Sequence, residues 1–478
     1  MIRFFSRFKN DNNSNVEANL YKKYPWLTEF ADKLSRQKKK SLQDRLTELE
    51  KISNYIKTKH WKDVENKFFH RMTEFGYPEN GVKIEINLLK ELFSMETIKN
   101  IFQNPSNSFS NSYDSECLSV NRRLSDNYEY VVSPKGLILI VGSSNTILPV
   151  ITASILSFLC GNVTVIQLPK LHQVAITELF SSLPFDDGTP IYFTNLDHQI
   201  EMQKLELDQL LNVVPWDVIN IWGGREANEY YYQAVRKNSH RPNIINMEAL
   251  TGILLIQEEY LNKNQDIVSG EVAKSISVLG QQLCSSPTEA YVICQGQSCV
   301  TTRHDEFYTM LVKRLEAIYD SKNSALNEFD LFKLDRVLNR ATDNGSKVYK
   351  SKIYGNVISI ISSENLSIFD DAPSDLDLNI HSRSNFLEFV HMNSEDLLIN
   401  RLSDINNKIT HAGIEKIQTI IVIGDDDFWE KAVYISKQIS AYRVVSPNYV
   451  LKRHHFEPLD GYHLVDEFTY QIPILKSD

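Results

Sequence analysis

The feature that most limits the fold is a series of short, wholly apolar runs set between helix-length segments. Gly136-Leu137-Ile138-Leu139-Ile140-Val141-Gly142 has no polar alternation, as expected of a strand covered on both faces. A helix-length segment follows over 146–160, then the strand-like Val163-Thr164-Val165-Ile166 and a helix over about 171–183. Ile191-Tyr192-Phe193, an amphipathic stretch over 202–213 and Val218-Ile219-Asn220-Ile221 continue the alternation. Strand and helix patterns in this order predict an α/β fold with a doubly wound parallel sheet and right-handed crossovers. Two further strand-like runs flank Glu248 between positions 243 and 257, and a helix over about 269–279 ends just before Cys284. From about 285 to 440 the alternation is less regular, with strands near 357–361 and 419–423.

The first 125 residues read differently. Leu42, Leu46, Leu49, Ser53 and Ile56 recur at helical spacing among charged residues, with Ser41 placed as an N-cap. The polar run Asn104-Pro105-Ser106-Asn107-Ser108 predicts a break near there. With 478 residues the chain can bury more than one lobe. Its net charge of -10 argues against general nucleic-acid binding, which needs a basic surface. No apolar run approaches the roughly 20 residues of a membrane span; the longest, 147–160, is interrupted by Pro149, Thr152 and Ser154. Met1 to Lys9 is basic and aromatic without the apolar stretch of a signal peptide, and reads as a loose tail or a weak surface anchor. Five cysteines, at 117, 160, 284, 294 and 299, lack metal-type spacing and suggest reduced thiols in a cytoplasmic protein.

Of the five, Cys284 has the most suggestive surroundings. It lies in Gly280-Gln281-Gln282-Leu283-Cys284-Ser285-Ser286-Pro287, polar punctuation where helical periodicity stops and a side chain can face a cleft. Most thiols are small buried hydrophobes, and Cys160 and Cys294 sit in apolar patterns of that kind. A thiolate suits acyl transfer because it attacks a thioester well and leaves again easily. Gly142-Ser143-Ser144-Asn145 and Trp222-Gly223-Gly224-Arg225 each join a strand to a helix, where a helix N-terminus can face a phosphate or the glycines simply make a tight turn. Glu248 is one carboxylate in an apolar stretch, either a perturbed buried acid or a strand-edge glutamate in solvent.

Taken in chain order, these pieces resemble the aldehyde dehydrogenase superfamily. Within it they look closest to the bioluminescence-type long-chain acyl-CoA reductases of the LuxC type. Asn145 in a strand-to-helix turn, Gly223-Gly224 after Trp222, then Glu248, Cys284 and an Asp460-Gly461-Tyr462 tail after Arg443-Val444-Val445 carry the likeness over about 130–472. The resemblance implies an aldehyde dehydrogenase-like fold with a helical N-terminal region at 1–125 and a Rossmann-like cofactor-binding domain at 126–250. A catalytic α/β domain at 251–440 would carry Cys284, and a tail at 441–478 would complete the cofactor lobe or an oligomerisation arm. It implies reduction of an acyl thioester, on CoA or acyl carrier protein, to an aldehyde through an S-acyl Cys284. Asn145 would donate to the oxyanion, and Ser143, Gln167, Lys170, Gly223 and Gly224 would lie at a nicotinamide cofactor. Gln167 and Lys170 stand where the superfamily usually has a lysine and a ribose-binding acid, which favours NADPH over NADH. Glu248 matches the general base of oxidising members, which many luminescence-type reductases lack, so aldehyde oxidation to acid is the alternative. A non-catalytic scaffold subunit is a third reading. The resemblance further implies a homodimer or tetramer and an acyl-activating partner enzyme.

Overall fold

The computed structural model describes residues 14–75, 77, 79–103, 122–125, 128–186, 188–247, 251–281, 283–294, 304–318, 328–353, 356–364, 367–368, 386–407, 417–453 and 457–475. The polar break at 104–108 and Glu248 lie outside them. Contacts gather into two units: Met1–Phe75 with Ile84–Glu248 and His454–Asp478, and Gly76–Lys83 with Ala249–Arg453.

The chain opens with helices α1 (Ser14–Lys23), α2 (Trp26–Lys39), α3 (Leu42–Tyr55), α4 (Lys59–Glu74), α5 (Glu79–Leu92) and α6 (Met95–Gln103). Ser41 caps α3 in a reciprocal capping box with Asp44, as its position predicts. Strands β1 (Arg122–Ser125) and β2 (Tyr128–Pro134) follow, then β3 (Leu137–Val141), α7 (Leu148–Leu159), β4 (Val163–Gln167), α8 (Lys170–Ser182), β5 (Ile191–Thr194), α9 (Glu201–Val213), β6 (Val218–Trp222), α10 (Arg225–Val235) and β7 (Asn243–Met247).

The last five strands form one parallel sheet in the order β5-β4-β3-β6-β7. Every residue of β3, β4 and β6 is buried, which is why each reads as a near-continuous apolar run. Helix α7 is apolar almost all round because it too is buried; its Ser154 hydroxyl bonds back to the Val150 carbonyl at 2.6 Å. The N-terminal helices of this unit pack onto the same sheet. Trp26 of α2 stacks on Tyr192 of β5, and Arg45 of α3 is fully buried. The Arg45 guanidinium donates to the carbonyls of Leu159 (2.7 Å), Gln37 (3.0 Å) and Lys40 (3.0 Å), closing the C-terminal ends of α7 and α2 at once.

The second unit holds β8 (Thr251–Gln257), α11 (Glu258–Lys263), α12 (Gln265–Ser277), β9 (Pro287–Ile293), α13 (Asp305–Ile318), α14 (Glu328–Asp343), β10 (Lys347–Ile353), β11 (Asn356–Glu364), β12 (Phe386–Met392), α15 (Glu395–Asn407), β13 (Ile417–Ile423), α16 (Asp426–Ile439) and β14 (Arg443–Val445). Its sheet runs β10-β11-β12-β9-β8-β13-β14, parallel throughout except for the antiparallel β10–β11 edge pair. Alternate residues of the central strands bury on opposite faces. Leu254, Ile256, Ala290 and Val292 meet α12 and α13, while Ile253, Leu255, Tyr291 and Ile293 meet α15 and α16.

Helix α17 (Leu464–Glu467) and β15 (Thr469–Leu475) return to the first unit, where β15 pairs antiparallel with β2 in a three-stranded β1-β2-β15 sheet. The expectation of reduced thiols needs correcting at one position. Cys160 and Cys284 are free, but Cys294 is disulfide-bonded to a partner outside the described residues. An odd cysteine count requires one leftover thiol and says nothing about the others.

Arg45 gives a direct test of how the leader helices are tied in. Burial pulls its guanidinium down to about 10, so it stays charged at neutral pH. Arg45→Ala strands three carbonyls, those of Leu159 and Gln37 buried and that of Lys40 partly so, and should cost about 2–4 kcal/mol, read as a lowered urea midpoint. Arg45→Lys, without the planar fork, should recover only part of that.

Candidate active site

In the first unit six of the anticipated residues share one edge. Strands β3, β4 and β6 end at Val141, Gln167 and Trp222, so the turns after them emerge at the carboxyl end of the sheet. The chain moves outward from β3 through β4 to β5, then returns to place β6 on the other side of β3. That reversal lies between β3 and β6, the position where open parallel sheets bind ligands. Ser143 and Asn145 lie in the turn after β3, and Gly223 and Gly224 in the turn after β6. Gln167 is the last residue of β4, and Lys170 the first of α8.

The turn after β3 is tightly seated. The Gly142 N–H donates to the Gln167 carbonyl at 2.8 Å, and a Cβ on Gly142 would stand 3.0 Å from Val150 and 3.3 Å from that same carbonyl. The buried His172 ring of α8 is hydrogen-bonded to the Ser143 backbone; burial holds the imidazole down to about 4, so it is neutral at physiological pH. The turn after β6 is open by contrast. Gly224 is the N-cap of α10, no side chain among the described residues caps that helix, and a Cβ built on Gly224 meets nothing within 4 Å. The start of α10 thus combines an N-cap without a capping side chain with open space at the Gly224 Cβ position, an arrangement suited to an anion. Gln167 is buried; its amide donates to the Leu196 carbonyl while its Oε1 is buried without a partner among the described residues. Lys170 is exposed, beside a helix start that also has no side-chain cap.

Cys284 belongs to the second unit. It is half-buried on a turn between α12 and β9, at the amino-terminal edge of the sheet's central strands. The helix stops short of it because Leu279, Gly280 and Gln281 all adopt left-handed backbone, at φ 49, 61 and 65. Gln281 sustains that conformation through its side chain. Its Nε2 donates to the carbonyls of Pro287 (2.7 Å) and Phe386 (2.6 Å), and its Oε1 accepts from the Phe386 N–H at 3.0 Å. The Ser285 hydroxyl donates to the Val450 carbonyl at 3.1 Å, and Arg443 binds the same carbonyl at 3.2 Å. The nucleophile turn is thus held from β12, β9 and the segment after β14.

Two register shifts bring further residues to the thiol. Between Ile417 and Thr419 β13 carries one more residue than β8 opposite, and that extra residue is Gln418. The bulge turns the fully buried Gln418 so that its Nε2 donates to the Cys284 sulfur at 3.3 Å, while its Oε1 accepts from the Thr419 hydroxyl at 3.1 Å. The Gln418 amide thus fixes the position of the Cys284 sulfur from the neighbouring strand. The second shift falls after Gly252, which pairs with Pro287. A Cβ on Gly252 would lie 2.1 Å from the Ser285 carbonyl oxygen, so the turn can close only over a glycine there. Cys160, by contrast, is fully buried and burial pushes its thiol far up, which leaves it inert.

Sequence reasoning did not assign Gln418, Gln281, Gly252 or His172. Each is a polar residue or glycine interrupting or bordering an apolar run, but which atom it meets depends on strand register.

Comparison with solved structures places the fold among the aldehyde dehydrogenases. A benzaldehyde dehydrogenase described as NAD-dependent from Corynebacterium glutamicum has 14% identity and a TM-score of 0.64, covering 94% of this chain and 89% of that one. Aldehyde dehydrogenase 21 from Physcomitrella patens gives 11%, 0.66, 94% and 89%, and lactaldehyde dehydrogenase from Escherichia coli 12%, 0.65, 95% and 90%. A model of the acyl-CoA reductase (LuxC) family matches residues 43–349. The chain belongs to that family, and is an oxidoreductase acting on acyl or aldehyde groups. No curated protein matches it.

The close approach at Gly252 can be checked without an assay of turnover. Gly252→Ala should displace the 284–286 turn and lower the alkylation rate of Cys284 by roughly tenfold or more. Gly188→Ala, whose Cβ meets nothing within 4 Å, should leave that rate unchanged.

Proposed function

We propose that this protein reduces an acyl thioester, carried on CoA or on acyl carrier protein, to an aldehyde through an S-acyl intermediate on Cys284, with NADPH as reductant. The observation that carries the reading is the half-buried Cys284 sulfur with the Gln418 amide fixed on it, in a chain of the acyl-CoA reductase family.

In this reading the Cys284 thiolate, positioned by the Gln418 amide, attacks the thioester carbonyl. The C–S bond to the carrier breaks, the carrier leaves as its thiolate and the acyl group remains on the Cys284 sulfur. Asn145 donates its side-chain amide, and Cys284 its backbone N–H, to the oxyanion that forms at each tetrahedral stage. When bound, the dinucleotide supplies hydride to the acyl carbon. The resulting thiohemiacetal anion on Cys284 then reforms its carbonyl, the C–S bond breaks and aldehyde leaves with the thiolate restored.

The first unit's sheet edge has the features a dinucleotide needs. The start of α10, with Gly224 as its N-cap and open space at the Gly224 Cβ position, would offer N–H groups to the pyrophosphate, and Ser143 lies across the sheet reversal from it. Gln167 Oε1 is a buried acceptor without a partner among the described residues, able to take a ribose hydroxyl, and its other end is already engaged by Leu196. Lys170, exposed at the first position of α8, adds a cation where a ribose-binding carboxylate would repel an extra phosphate. This favours NADPH over NADH. The same reading includes association as a homo-oligomer and work beside an acyl-activating enzyme.

Cys284→Ala should abolish aldehyde formation, and incubation with acyl-CoA alone should leave an acyl adduct on Cys284 visible by mass spectrometry. Full activity in that variant would end the hypothesis. Asn145→Ala should lower kcat by about 10²-fold. Lys170→Ala should shift the NADPH-to-NADH ratio of kcat/KM toward NADH by about tenfold; an NADH preference already present in the parent sinks the cofactor assignment. If the enzyme given aldehyde and NADP⁺ yields free acid rather than thioester, the oxidative reading with Glu248 as base replaces this one.

A further inference from the structure

We propose that Glu85 is a positioning residue for this reaction: from helix α5 it anchors the turn that carries Asn145 by binding Thr146 and Ile147, the next two residues. The inference rests on the assignment of Asn145 as oxyanion donor. It concerns a residue outside every motif that suggested the chemistry.

Along α5 the residues Val82, Glu85, Ile86 and Leu89 are all buried, as is Phe93 just past its end, so a carboxylate occupies the middle of an otherwise apolar stripe. Such a placement costs stability unless the charge is satisfied. Glu85 Oε1 accepts from the Thr146 hydroxyl and from the Ile147 N–H, the latter at 3.1 Å. The Thr146 hydroxyl oxygen in turn accepts from the Leu148 N–H at 3.4 Å. Helix α7 has Ile147 at its N-cap and so no capping side chain of its own there. Glu85, some sixty positions away in sequence, takes over that task.

The turn is therefore fixed from two sides. Its first half is held by the Gly142 N–H on the Gln167 carbonyl of β4 and by His172 of α8 on the Ser143 backbone. Its second half, immediately after Asn145, is held by Glu85. Glu85 Oε2 is buried with no partner among the described residues, and burial raises the carboxyl to about 7. A proton can reside on Oε2 while Oε1 continues to accept both bonds, so the anchor persists on either side of that pH. A side chain that keeps the acceptor but not the charge should do the same work.

The test compares Glu85→Gln, Glu85→Ala, Asn145→Ala and the double variant Glu85→Ala/Asn145→Ala in acyl-CoA reduction with NADPH. Glu85→Gln should keep kcat within about threefold, whereas Glu85→Ala should lower kcat about tenfold with little change in the KM for NADPH. In the Asn145→Ala background the further loss from Glu85→Ala should vanish, because the anchored group is already gone. An undiminished kcat in Glu85→Ala, or the same tenfold loss in both backgrounds, overturns the proposal while leaving Asn145 in its role. Full activity in Asn145→Ala overturns the reading of Asn145 itself, and the anchor's purpose with it. Should Glu85→Ala not fold, Thr146→Val removes one of the two bonds while preserving shape. A loss of about threefold in kcat, absent in the Asn145→Ala background, supports the anchor, and an unchanged kcat refutes it.

Discussion

A parallel strand buried on both faces has no place for a reactive side chain except at its ends. That constraint organises both units. β3, β4 and β6 bury every residue, and so do β12 and β13, so these strands present no solvated face on which chemistry could be mounted. In the first unit the candidate residues accordingly gather where the strands end, around the reversal between β3 and β6. In the second unit Cys284 lies just before β9, at the opposite, amino-terminal edge of its sheet.

The two edges solve different problems. A cofactor-sized ligand needs open backbone, and α10 starts at Gly224, which has no capping side chain and open space at its Cβ position. A nucleophile needs a fixed position. The turn around Cys284 is therefore dense with bonds, and three successive left-handed residues are tolerated because Gln281 ties them to β9 and β12 through three hydrogen bonds. Left-handed Leu and Gln backbone is costly in isolation, each on the order of 1–2 kcal/mol, and survives only when tertiary contacts overdetermine it. The bulge at Gln418 belongs to the same logic. An ordinary alternation would have sent that amide elsewhere; one extra residue turns it onto the sulfur.

The sequence disclosed these arrangements unevenly, for physical reasons. Leu137–Val141 and Val163–Gln167 were legible because complete burial leaves a composition few other structures tolerate. Ser41 was legible because a cap is local, decided within four residues. The helix before Cys284 was displaced, observed at Gln265–Ser277 where periodicity suggested 269–279, because its end is set by Gln281 reaching Phe386 on a distant strand. Gln418 could not be recognised from Ile417-Gln418-Thr419-Ile420, since a bulge depends on the register of the neighbouring strand. Gln167 illustrates a partial success. Its position at the end of β4 was visible, but not that its amide is committed to Leu196, which leaves only an acceptor for any ligand. The chain-order likeness that led to the acyl-CoA reductase family depended on none of these hidden contacts, which is why the family could be recognised while the supports of the site were not.

Glu85 is where local and tertiary demands conflict most plainly. Helical periodicity assigns position 85 to the buried stripe of α5, where an aliphatic residue would be the stable choice. The acid there carries a desolvation cost large enough to move its own titration to about 7. What offsets that cost is the start of α7, whose free N–H groups and aligned peptide dipoles favour an acceptor, and whose N-cap residue, Ile147, cannot supply one. The helix whose first turn follows Asn145 thus takes its cap from outside its own sequence. In this unit the N-terminal helices do more than cover the sheet: Arg45 closes the carboxyl end of α7 and Glu85 closes its amino end. A helix held at both ends by side chains from the leader has little freedom to tilt, and the turn that feeds it inherits the same restraint.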